Sequence, residues 1–206
     1  MPKQTFYNLK KEKKDKIILA AINEFSSKTY ELVNLSDIIK KASIPRGSFY
    51  QYFEDKKDIY LYLLEIIQET KMTYLSDVMS NQNIPFLDLI EKLYDKGVIF
   101  AIDHPKYVEL FDKLLKNKNE IYDQVIKNSK NFAIDFYSKL INRDKSKGLI
   151  KKDIHTKTLA KIVADLTSNV TLNDLDTKNP KENYQMMKEN IHHILHIFKK
   201  GIEKNG

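Results

Sequence analysis

The chain has 206 residues, a formal net charge of +7 and 42% hydrophobic residues, enough apolar material for one large domain or two smaller ones and a balance that suits a polyanionic partner without requiring one. The absence of cysteine excludes disulfides, thiolate zinc sites and a cysteine nucleophile. No apolar run reaches the ~18 residues of a membrane span, and the basic start MPKQTFYNLKKEKKDK has no apolar segment before Ile17, unlike a signal peptide.

Helix breakers are sparse: Pro2, Pro45, Pro85, Pro105 and Pro180, with Gly47, Gly97, Gly148, Gly201 and Gly206. No period-two strand pattern with hairpin turns accompanies them, so the expected class is all-α, with about nine helices. A first helix over about Lys11–Ser27 turns Ile17, Ala20, Ala21 and Phe25 inward. Lys10, Lys11, Lys13, Lys14 and Lys16 crowd its start against the helix dipole. They are either a solvated basic arm or a contact to phosphate or a minor groove. A second helix over about Leu35–Ala42 has Asn34 as its cap and Ile38 and Ile39 inside. A third begins at Pro45, suited to the first helical position, and reaches about Tyr52, with Phe49 and Phe53 facing the small core.

A fourth helix runs from near Asp55 to about Met79, and its segment IYLYLLEII is apolar nearly all round, as in a helix with neighbours on several sides. After a loop over Ser80–Pro85, a fifth covers about Phe86–Asp103, and a sixth about Tyr107–Lys116. A seventh spans about Asn119–Lys147 and closes at Gly148; its apolar face is wider than one packing partner needs. The eighth, about Ile154–Thr171, carries the stripe Leu159, Ile162, Val163, Leu166 and Val170. The ninth, about Glu182–Gly201, carries Ile191, Leu195 and Phe198. Such seams suit helix packing within the chain or across a dimer.

The second and third helices form a helix-turn-helix, NLSDIIKKASIPRGSFYQYFEDK, over Asn34–Lys56. Its second helix offers Arg46, Gly47, Ser48, Tyr50, Gln51 and Tyr52. Small residues allow close approach to a duplex, arginine reaches a phosphate or a guanine edge, and tyrosine hydroxyls donate to phosphate. Tyr50 alone would more often cover a domain edge; within this motif phosphate contact is the better reading.

IILAAINEF and LSDIIKKASIPRGSFYQYFEDKKDI, within Ile17–Asp58, resemble the first helix, helix-turn-helix and fourth-helix start of the TetR/AcrR family of bacterial transcriptional regulators. GLIKKDIHTKTLAKIV looks like the opening of that family's dimerisation region. Two positions depart from it: the family often has glycine at Thr29 and Ser43. The end of the first helix is therefore expected to close differently, and Ser43 to make its turn without a left-handed residue. The resemblance implies a DNA-binding head over 1–54 and a ligand-binding and dimerisation domain over 55–206. DNA-facing residues would be Arg46, Gly47, Ser48, Tyr50, Gln51, Tyr52 and Lys56, the last for phosphate. It further implies a homodimer on double-stranded, palindromic operator DNA, released when a small molecule enters a pocket among the fourth to eighth helices.

Candidates for that pocket are Tyr94, Phe100, Phe111, Tyr122, Phe132 and Phe136, although aromatic stripes are more often core. The expected dimer interface is Leu159, Ile162, Val163, Leu166, Val170, Ile191, Leu195 and Phe198. His192 and His196, four apart, have the spacing of metal ligands, but no third ligand is placed to join them, and with His193 they read as interface rim. No metal, cofactor or catalytic residue is expected, so the reading is not an enzyme but a cytoplasmic, ligand-responsive regulator, a repressor by preference. The rival is an architectural DNA-binding protein of the same fold without an inducer.

Overall fold

The structure, a computed structural model, describes residues 1–173 and 180–202, with side chains left out for 167–173 and 180–182. Every regular element among the described residues is helical, as the scarcity of breakers implies. The helices are α1 (Gln4–Tyr7), α2 (Lys11–Ser27), α3 (Leu35–Lys41), α4 (Arg46–Tyr52), α5 (Lys56–Ser80), α6 (Phe86–Asp103), α7 (Pro105–Lys116), α8 (Glu120–Ser146), α9 (Thr156–Asn173) and α10 (Pro180–Ile202). A 3-10 turn, Tyr30–Leu32, follows α2. The four-residue α1 has no counterpart among the nine expected helices. No described helix is long and apolar enough to cross a membrane.

The helix ends have visible causes. Asn34 caps α3, its side chain accepting from the Ser36 amide at 2.9 Å. Asn119 does the same for α8 through the Tyr122 amide at 3.0 Å. Gly148 has φ +74°, and the Leu149 amide reaches back to the Asp144 carbonyl at 2.9 Å, so α8 closes as expected at a left-handed glycine. The end of α2 closes on extended Lys28 and Thr29 instead. Ser43 corrects its expectation: φ is +53°. The Ile44 amide bonds the Ile39 carbonyl at 3.3 Å, closing α3 through a left-handed residue. The same closure geometry that a glycine serves more easily is imposed here on a serine, because the chain must reverse within the four residues between α3 and α4.

The described chain forms two compact units, Met1–Thr73 with His104–Asn117, and Tyr74–Asp103 with Lys118–Gly206. The expected division of roles near residue 54 is therefore not where packing divides. In the first unit α7 packs on α2, and α2 on α3. Its core holds Ile17, Phe25, Ile38, Phe49, Phe53 and Tyr60. The Phe25 and Tyr60 rings lie 4.7 Å apart, and Phe49 and Phe53 5.4 Å.

In the second unit α6 packs with α10 and α8, and α9 with α8 and α10, around Leu87, Leu89, Ile141, Val163 and Ile191. A buried carboxylate fixes the start of α6: Asp144 accepts from the Phe86 amide at 2.6 Å and from Arg143 at 2.7 Å. Arg143 in turn donates to the Gln82 and Ile84 carbonyls, so the loop before α6 is tied to the end of α8.

Candidate nucleic-acid interface

The face of α4 follows from its spacing. Phe49 and Tyr52 turn into the core with Phe53 just beyond the helix. Arg46, Gly47, Tyr50 and Gln51 are left exposed on the opposite side, and Ser48 is half-buried between them. Pro45 stands one residue earlier than expected, as the residue before the first helical one, with φ −62° and ψ 144°. A Cβ added at Gly47 would meet nothing within 4 Å, so no packing inside the chain requires a glycine there. A glycine within a helix costs about 1 kcal/mol relative to alanine. Tyr50 is 42% exposed, its ring edge-on to Phe49 at 5.5 Å.

Two of the expected DNA-facing residues are engaged within the chain. Tyr52 is only 5% exposed. Its ring meets Phe6 at 6.2 Å and carries the Lys13 ammonium at 5.5 Å. It sits three positions after Phe49, on the inward face of a helix too short to offer it another. The Lys56 ammonium donates to the carbonyls of Tyr30 at 2.8 Å, Glu31 at 3.3 Å and Val33 at 3.0 Å, and lies 4.6 Å from the centre of the Tyr30 ring. Three acceptors in one place hold an ammonium more firmly than the start of α5 alone.

The lysines before α2 divide. Lys14 donates to the Tyr7 carbonyl at 3.0 Å, and Lys16 pairs with Glu12 at 3.0 Å, whereas Lys10 and Lys11 are exposed. Behind the helix-turn-helix, Glu24 is 2% exposed and accepts from Lys28 at 2.9 Å and from Lys41. Those two hydrogen bonds hold its carboxyl below the usual range, Lys41 first. Lys28 also reaches Asp37 at 3.4 Å, so α2 and α3 are joined by charge as well as by apolar packing.

The expected pocket residues fall in both units. Phe111 belongs to the first unit and the others to the second. Tyr94 and Phe100 are buried, the latter 5.6 Å from the Tyr74 ring. Phe132 is 59% exposed and stacks on half-buried Phe136 at 6.3 Å, while Tyr122 is half-buried. An open groove of about 610 Å³ lies elsewhere, along Asn142, Lys145, His155 and Thr156, where α8 ends and α9 begins, and takes in none of them. On α5, Lys71 is exposed.

The residues of the expected dimer seam divide by exposure. Leu159, Val163, Ile191 and Leu195 are buried within the second unit, where α9 and α10 use them against α6 and α8. Ile162 is exposed, Leu166 and Phe198 are half-buried, and the side chain of Val170 lies outside the described residues. On α10, Met186 and Ile197 are exposed apolar residues outside that stripe. His192 bonds Glu91 at 2.9 Å, and no group of side chains among the described residues has the makings of a metal site.

This helix-turn-helix matches the family model for bacterial regulatory proteins of the tetR family over residues 17–63. Over 200 residues, 93% of this chain and 94% of the other, it is 26% identical to the HTH-type transcriptional regulator YvdT of Bacillus subtilis. Over 118 residues, 54% of this chain and 61% of the other, it is 35% identical to IcaR of Staphylococcus aureus, the negative transcriptional regulator of the biofilm operon icaADBC. Among solved structures, a TetR family transcriptional regulator from Chloroflexus aurantiacus aligns over 99% of both chains with a TM-score of 0.73 and 26% identity. The regulator FadR of Bacillus subtilis, in complex with stearoyl-CoA, aligns over 88% of this chain and 96% of its own with a TM-score of 0.70 and 16% identity, a likeness of fold. A helix-turn-helix built on these residues, within an all-α chain that aligns end to end with such regulators, makes the chain similar to tetR family transcriptional regulators, with the family's own model matched over residues 17–63.

Proposed function

We propose that the protein is a homodimeric repressor that holds a palindromic operator through α4 and releases it on binding a small molecule. The observation that carries the DNA reading is the exposed face of α4: Arg46, Gly47, Tyr50 and Gln51 with half-buried Ser48, and a glycine that the fold itself does not need. Two recognition helices in a symmetric dimer address half-sites about one helical turn, ~34–36 Å, or a multiple apart. IcaR, a named negative regulator, supports the sign of regulation. The complex of FadR with stearoyl-CoA supports a long-chain acyl thioester as a class of effector to screen. Because α5 contributes residues to both packing units, it is the element through which a ligand can bias the head, and reciprocity requires operator DNA to weaken that ligand equally.

Gly47→Ala tests the DNA reading in two opposed directions. The head gains about 0.5–1 kcal/mol from the better helix former, while affinity for a genomic fragment retained by the wild-type protein falls at least roughly ten-fold, about 1.4 kcal/mol. Thermal melting and fluorescence-anisotropy titration read the two effects separately. Equal affinity in mutant and wild type removes α4 from the interface.

A further inference from the structure

The helix proposed to read DNA has seven residues, a length that has little stability alone. Its last carbonyls, those of Tyr50, Gln51 and Tyr52, lack an acceptor's partner within the helix. Each is met by the chain's first residues. The Lys3 ammonium donates to the Tyr50 carbonyl at 3.0 Å, the Thr5 hydroxyl to that of Gln51, and the Lys3 amide to that of Tyr52 at 2.8 Å. Two residues thus satisfy three consecutive orphan acceptors, and a cation stands at the negative end of the helix dipole.

The segment is anchored, not frayed. Pro2 and Phe6 are buried, and the Phe6 ring lies 4.8 Å from Phe53, 5.5 Å from Tyr62 and 6.2 Å from Tyr52. The residues whose carbonyls are held include Tyr50 and Gln51, both on the exposed face.

We propose that residues 2–8 form a clamp that positions α4 against DNA, with Lys3 and Thr5 as its positioning residues. The proposal rests on the reading of α4 as the DNA-facing helix. Lys3 acts through the Tyr50 carbonyl and not through a phosphate, and Thr5 fixes the register of Gln51. This reading accounts for a basic start that folds back onto the head, where composition alone describes only a charged arm.

The test uses the full chain with Lys3→Met and Thr5→Val combined, and with the conservative pair Lys3→Arg and Thr5→Ser. Hydrogen exchange of the Tyr50, Gln51, Tyr52 and Phe53 amides is followed without DNA, and affinity for a genomic fragment retained by the wild type is measured across salt concentrations. The clamp predicts faster exchange at those amides and roughly ten-fold weaker binding, the scale of one lost net hydrogen bond. The slope of affinity against salt stays unchanged, and the conservative pair restores both properties. Unaltered exchange with a slope reduced by ~0.9 makes Lys3 a phosphate contact and overturns the clamp, as does unaltered exchange with unaltered affinity. A wild-type chain that retains no DNA while exchange still responds overturns the reading of α4 and leaves the clamp as a helix cap.

Discussion

The Lys56 ammonium donates to the carbonyls of Tyr30, Glu31 and Val33, and so closes the segment that leads from α2 into α3. Truncating it leaves those acceptors to water or to nothing. Lys56→Ala is expected to lower stability by about 1–2 kcal/mol in urea unfolding while leaving the salt slope of DNA binding as in the wild type. A slope lower by ~0.9 returns Lys56 to the phosphate contacts. Sequence pattern assigns a lysine at the start of a helix by its neighbours in the chain, and the three carbonyls come from residues more than twenty positions earlier. Ser43 follows the same logic in reverse. Its identity argues against φ +53°, but the short distance between α3 and α4 leaves the backbone no other reversal, and the residue takes a strain of roughly 1 kcal/mol. What could be read locally was read: the Asn34 cap and the Gly148 closure each depend on one residue and its own turn.

At the scale of elements, α2 and α3 are locked by Glu24 between Lys28 and Lys41. The sign of its pH dependence follows from the lowered carboxyl. The contribution is complete above the ordinary glutamate value of 4.5 and is lost as pH falls through the lower folded value. Lys28 is raised, first by its hydrogen bond to the same carboxylate, so its part is complete below 10.5 and is lost as pH rises through the higher folded value. Glu24→Gln is therefore expected to flatten the decline of melting temperature below pH 4.5 relative to the wild type. Parallel profiles in that range deny Glu24 the role. Helix bounds were readable because Pro85, Pro105 and Gly148 punctuate long runs of helix formers. The short α1 was not, since four residues show no period, and its stability comes from Phe6 and from carbonyls of α4. The packing of α7 against α2 was equally silent, since nothing in either stripe names its partner.

At the scale of the molecule, an apolar stripe shows that a helix is covered but not by which chain. Leu195 and Ile197 on α10 separate the two cases, at 2% and 71% exposure. Leu195 belongs to the core shared with α6. Ile197 lies eleven residues after Met186, which at ~100° per residue puts both on one face of α10, and Ile162 offers an exposed apolar side chain on α9. Since the family's regulators act as symmetric dimers, this exposed set is the better candidate for contact with a second copy than the buried stripe. A charge at Ile162 or Ile197 meets water in the protomer and a desolvated surface in the dimer. Ile162→Asp with Ile197→Asp should melt as the wild type does at high dilution, sediment as a monomer at concentrations where the wild type is dimeric, and lose tight operator binding, because one head engages only one half-site. Leu195→Asp should instead lower the melting temperature sharply, since it buries a charge within the protomer. A double mutant that sediments as the wild-type dimer and binds operator normally places the interface on another face of the molecule.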